Sequence, residues 1–149
     1  MSAFSIFGDT MENFKFINNN PQGVLTEDCV IRSISLFLNI SYEQVLNNLL
    51  DIYKLTGYHI GDRRCYEEYL KSYNIKIINI SNYNITISEL ITFISNNYYG
   101  SVPELSDIQS DKLLILLQNF HLTYMEKYVI MDTWNCICEK ISQIYVQGD

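Results

Sequence analysis

Hydrophobic periodicity changes character once along this chain, near Lys112, and the change constrains the fold more than any other feature. Before it, apolar residues recur at three- and four-residue spacings, the signature of helices that bury one face. After it, Leu113-Leu-Ile-Leu-Leu117 is a continuous apolar run of strand length, short enough for a strand covered on both faces, and strands are expected from there to the end. The pattern predicts an α+β protein, with a helical N-terminal half packed on an antiparallel sheet from the C-terminal half.

Four helices are legible. Val30, Ile31, Ile34, Phe37 and Leu38 mark a helix that is apolar over most of its surface, with Asp28 placed to cap its first turn. Ser41-Tyr-Glu-Gln44 has capping-box form ahead of Val45, Leu46, Leu49, Leu50 and Tyr53. Asp62 can cap a third helix carrying Cys65, Tyr66, Tyr69 and Leu70, so Cys65 reads as core. Thr86-Ile-Ser-Glu89 is a second capping-box pattern, before Leu90, Ile91, Phe93 and Ile94. Ile75 to Ile80 reads as a short β-branched strand, and residues 100–111 as a loop. The 149 residues are expected to form a single domain, with 1–20 a lead-in segment.

A net charge of -7 argues against a phosphate-binding surface, so no nucleic-acid partner is expected. No apolar run approaches bilayer length and the first residues lack signal-peptide character, which points to a cytoplasmic protein with no membrane partner. Four cysteines there are expected to be free thiols. Cys136-Ile-Cys138, on an expected strand, lacks the usual spacing of zinc ligands, so neither a metal nor another cofactor is expected. Abundant Ile, Asn and Tyr beside few Gly and Pro point to an AT-rich coding sequence, as in a virus or a low-GC bacterium.

Two features carry chemistry. Cys29 falls in the first turn of the apolar helix, where unsatisfied amides and the helix dipole favour a thiolate; the competing reading is a small residue packed at a helix start. Residues 121–132 read as a hairpin turning at Glu126-Lys127, which would set His121 directly opposite Asp132 on one face. A longer loop and another register remain open, because Glu-Lys is not a favoured turn pair, and the contact could be only a structural hydrogen bond. His59 is a second candidate base, but it lies in a Gly-flanked loop without a placed carboxylate.

Asn20-Pro-Gln-Gly23, Asp28-Cys-Val-Ile-Arg32, Ser41-Tyr-Glu-Gln-Val45, Tyr66-Glu-Glu-Tyr-Leu70 and Asp132-Thr-Trp134 occur in an order that resembles small papain-like cysteine peptidases of phages and low-GC bacteria. The likeness runs over residues 14–146. It implies a papain-like fold and a triad in which Cys29 attacks an acyl carbon, His121 moves its proton and Asp132 orients the imidazole. It further implies Gln22 as an oxyanion donor beside the Cys29 backbone N–H, Trp134 as a shield over the His-Asp contact, and a protein or peptide substrate. Trp134 could equally be an ordinary anchor at a strand end. Gln118-Asn119-Phe120 departs from the glycine-rich approach to the histidine in that family, which bears on substrate access. The alternative is a scaffold with an idle triad that acts by binding protein, such as a viral factor that blocks a host defence complex.

Overall fold

The structure is a computed structural model, and it describes residues 13–148. Its helices are α1 (Cys29–Leu38), α2 (Tyr42–Thr56), α3 (Arg63–Lys71) and α4 (Ile87–Ser95). Its strands are β1 (Phe14–Phe16), β2 (Ile75–Asn79), β3 (Lys112–Leu117), β4 (Leu122–Glu126), β5 (Val129–Asp132) and β6 (Ile141–Gln147), forming one sheet in the order β1-β5-β4-β3-β6-β2. The fold class is therefore α+β.

Three helix starts follow their sequence signals. Ser41 accepts from the Gln44 N–H, Asp62 from the Arg64 N–H, and Thr86 with Glu89 forms a complete capping box. Gly57 ends α2 in the left-handed conformation, at φ 80°. The fourth signal misleads: Asp28 makes no capping bond to α1, because its carboxylate is taken by Arg32, Tyr42 and Asn20.

The sheet is mixed rather than wholly antiparallel. β1 runs parallel to β5, pairing Phe16 with Asp132, so part of the expected lead-in is a strand of the sheet. β2, from the helical half, closes the opposite edge against β6. Residues 1–12 of that lead-in lie outside the described residues.

Alternation along β3 explains its unbroken apolar run. Leu114 and Leu116 face a core built with α1, α2 and α3, including Ile34, Val45, Leu49 and Leu70. Leu113, Ile115 and Leu117 face a second core with Ile87 and Leu90 of α4 and with Val102 and Leu105 around a 3-10 turn at Pro103–Asp107. The helices therefore divide between the two faces, and the loop read at 100–111 contains that turn.

The β4–β5 hairpin turns one residue later than expected. Glu126 pairs with Val129, Met125 with Ile130 and Tyr124 with Met131, which makes Lys127 and Tyr128 the turn residues, at φ 51° and 68°. Both sit in the left-handed region, as a type I′ hairpin turn requires. Continuing this register sets Asp132 opposite Thr123, not His121. Cys136 and Cys138 lie in the β5–β6 connection, not on a strand.

Candidate active site

Cys29, His121 and Asp132 converge where α1 begins, β4 begins and β5 ends. His121 Nε2 lies 2.7 Å from Asp132 Oδ2, and the Cys29 thiol lines the same cleft as the imidazole. The contact survives the displaced turn for a geometric reason. Moving a hairpin turn by one residue changes each cross-strand partner by two, and a two-residue change keeps side chains on the same face.

Asp132 is 2 % exposed and fully engaged. Its Oδ2 also accepts from Thr123 Oγ1 at 2.5 Å, while Oδ1 accepts from the Thr133 N–H at 2.7 Å and from Arg32 Nη1 at 3.1 Å. The residue just after β1 holds its backbone from the other side, the Ile17 N–H donating to the Asp132 carbonyl at 2.9 Å. Arg32 in turn donates from Nε to Asp28 Oδ1 at 2.6 Å, and Asp28 Oδ2 accepts from Tyr42 Oη at 2.7 Å and Asn20 Nδ2 at 2.9 Å.

The electrostatics follow from these contacts. Burial raises the Cys29 thiol, but hydrogen bonds from His121 and Leu122 and the charges of His121 and Arg32 outweigh it, leaving the thiol below its ordinary range. Burial lowers His121, yet its bonds to Asp132 and Cys29 carry it up to about 9. Burial likewise raises Asp132, and the imidazole, Thr123 and the Thr133 N–H bring it below the usual carboxylate value. The pair thus favours thiolate and imidazolium together.

The site opens into a cleft of about 370 Å³ lined by Thr26, Glu27, Cys29, Arg32, Asn119, Phe120, His121, Thr133 and Trp134. Asn119 Oδ1 accepts from the His121 backbone N–H at 3.2 Å, which steadies the turn leading to the imidazole. Phe120 stands at the rim, 85 % exposed and at φ 70°, a left-handed conformation that a glycine-rich approach would adopt without strain. Trp134 is exposed, its ring centroid 5.1 Å from that of His121.

Other candidates fall elsewhere. Gln22 is exposed on the turn after Asn20, its backbone N–H bound to Asn20 Oδ1 at 2.9 Å, and it does not line the cleft. His59 is exposed, with Nδ1 accepting from the Gly61 N–H, and also lies away from the cleft. Cys136, buried behind Thr123, brings a thiol within 4.8 Å of the donor atoms of His121 and Asp132. Those three could ligate a metal, but the Arg32 cation already lies against Asp132, and burial pushes the Cys136 thiol up to about 12, both unfavourable to a bound cation.

Sequence reasoning missed Arg32, Thr123 and Cys136. A signal existed for Arg32, a lone cation four residues after Asp28 inside an apolar helix. The other two gain their meaning only from the observed register and the path of the β5–β6 connection. The chain matches no family model, no curated protein and no solved structure.

Proposed function

We propose that this chain is a thiol-dependent acyl hydrolase of papain-like design, cleaving peptide or isopeptide bonds in a reducing compartment. The observation that carries the reading is one imidazole that lies 2.7 Å from a buried carboxylate and shares a cleft with a thiol at a helix start. His121 Nε2 is committed to Asp132, which leaves Nδ1 to serve Cys29. Sγ attacks the acyl carbon, and the carbonyl π electrons move onto its oxygen. The imidazolium then protonates the leaving amine as the C–N bond breaks. Water, deprotonated by the same imidazole, releases the acyl group and restores the thiol.

The oxyanion is met by the α1 start. The helix's own hydrogen-bond ladder begins with the Arg32 N–H bound to the Asp28 carbonyl, so the N–H groups of Cys29, Val30 and Ile31 precede it. Because the Asp28 side chain does not cap them, the Cys29 N–H is the first donor available to a developing charge.

Iodoacetamide labelling of the native protein with peptide mapping tests the reading. Cys29 should alkylate well ahead of Cys65, Cys136 and Cys138, and His121→Ala should remove that lead. Equal rates at Cys29 and the exposed Cys138 would overturn it. Hydrolysis of a fluorogenic peptide library by wild type, absent in Cys29→Ala, distinguishes an enzyme from a scaffold that acts by binding.

A further inference from the structure

α1 brings a second side chain to the site. Arg32 lies about one turn beyond Cys29, so it shares the face of α1 that meets the end of the sheet. It is 5 % exposed, and its guanidinium joins two carboxylates, Asp28 at 2.6 Å and Asp132 at 3.1 Å. The Asp132 carboxylate is thereby divided: Oδ1 receives Arg32 and the Thr133 N–H, while Oδ2 receives His121 and Thr123.

We propose that Arg32 is the positioning residue of this site, a role that rests on the reading of Cys29, His121 and Asp132 as a triad. Its guanidinium fixes the plane of Asp132 so that Oδ2 meets the imidazole. Its charge keeps that carboxylate ionised and favours the Cys29 thiolate. A planar fork is required, because two carboxylates on different elements must be held at once by groups in fixed relative orientation; a lysine ammonium offers a point charge on a flexible stem.

Asp28 is the anchor of the fork. Tyr42 of α2 and Asn20 hold its second oxygen, and its side chain serves this network instead of capping α1, the role an aspartate at that position ordinarily takes. One helix turn thus sets both the nucleophile and, through Asp132, the orientation of the base. The titratable groups around Arg32 are Asp28 and Cys29 on α1, Tyr42 from α2, His121 at the head of β4 and Asp132 at the end of β5, with Glu27 on the same cleft. Removing the cation makes the thiolate less favourable and the imidazolium more so, and therefore moves the pH window of the ion pair upward.

The test is the pH profile of Cys29 alkylation by iodoacetamide, read beside the melting temperature, in wild type, Arg32→Lys, Arg32→Gln and Arg32→Gln with Asp28→Asn. Arg32→Gln should shift the acid limb up by about one pH unit and slow alkylation near pH 6 by about tenfold. Arg32→Lys should keep the limb near its wild-type position while lowering the turnover of any hydrolysed peptide. Should Arg32→Gln fail to fold, the double variant is read against Asp28→Asn alone, so that the comparison removes only the cation; it should place the limb about one pH unit higher. A folded variant lacking the cation with an unmoved limb overturns the role of Arg32 and leaves the triad standing. A wild-type limb at the ordinary thiol position overturns the triad reading, and this role with it.

Discussion

His121 Nε2 lies 2.7 Å from Asp132 Oδ2 although the two residues are not cross-strand partners. The register sets Asp132 opposite Thr123, so the imidazole reaches the carboxylate along the diagonal. The turn that fixes this register places Lys127 and Tyr128 at positive φ, where side chains are strained by roughly 1–2 kcal/mol per residue. Replacing the pair by Asn-Gly should stabilise the protein by about 1–2 kcal/mol and raise its melting temperature by several degrees, leaving Cys29 reactivity unchanged. Thermal melts and iodoacetamide rates check both halves of this.

Loss of the nucleophile or the base should each abolish turnover without unfolding the chain. Cys29→Ala and His121→Ala should melt within a few degrees of wild type, and the double variant should be little worse in activity than either single one, because such groups act as a unit. Additive losses would show that the residues act separately.

Asp132→Asn keeps the size of the side chain and removes its charge. The imidazolium loses its partner, so turnover at neutral pH should fall by about 10²- to 10⁴-fold, and Cys29 alkylation by no more than about 30-fold, down to the rate of an ordinary thiol. Arg32 keeps Asp28 as a partner, yet a buried cation loses one of its two carboxylates, and stability should drop by about 1–3 kcal/mol in a denaturant titration.

The pH dependence of stability follows from the direction of each shift. His121 is raised from 6.5 to about 9, so its contribution is fully present below 6.5 and is lost as pH rises through about 9. Asp132 and Asp28 are lowered from 3.8, so theirs are present above 3.8 and lost as pH falls through their folded values. Melting temperatures of wild type and His121→Ala should differ most between about pH 4 and 6.5 and converge above about pH 9. A gap that stays constant through that range would show that His121 is not the imidazolium partner of Asp132.

Elements whose signals are local were legible in the sequence. The capping residues Ser41, Asp62 and Thr86 announced α2, α3 and α4, and the apolar run at Leu113 announced β3. Long-range facts were not. Nothing in Phe14-Lys-Phe16 specifies a parallel partner more than a hundred residues away, and a three-residue strand has too few positions to show a period. Asp28 illustrates competition: its sequence context is that of a cap, but a buried arginine four residues on is a stronger claimant for a carboxylate than a backbone amide. The contact of His121 with Asp132 was readable because a hairpin over residues 121–132 sets both on one face with either turn. Thr123 is silent until the turn at Lys127 and Tyr128 is known.

The Arg32–Asp132 bond spans 100 residues and joins the first helix to the end of β5. Until the strands that carry His121 and Asp132 are in place, the thiol at the start of α1 has neither an imidazole nor an ordered carboxylate behind it, and its chemistry is that of any cysteine. On the triad proposed above, enhanced reactivity at Cys29 is expected late in folding. Brief iodoacetamide pulses during refolding would clock the closing of the two halves on each other, and a chain interrupted between α4 and β3 should label at Cys29 no faster than an ordinary cysteine.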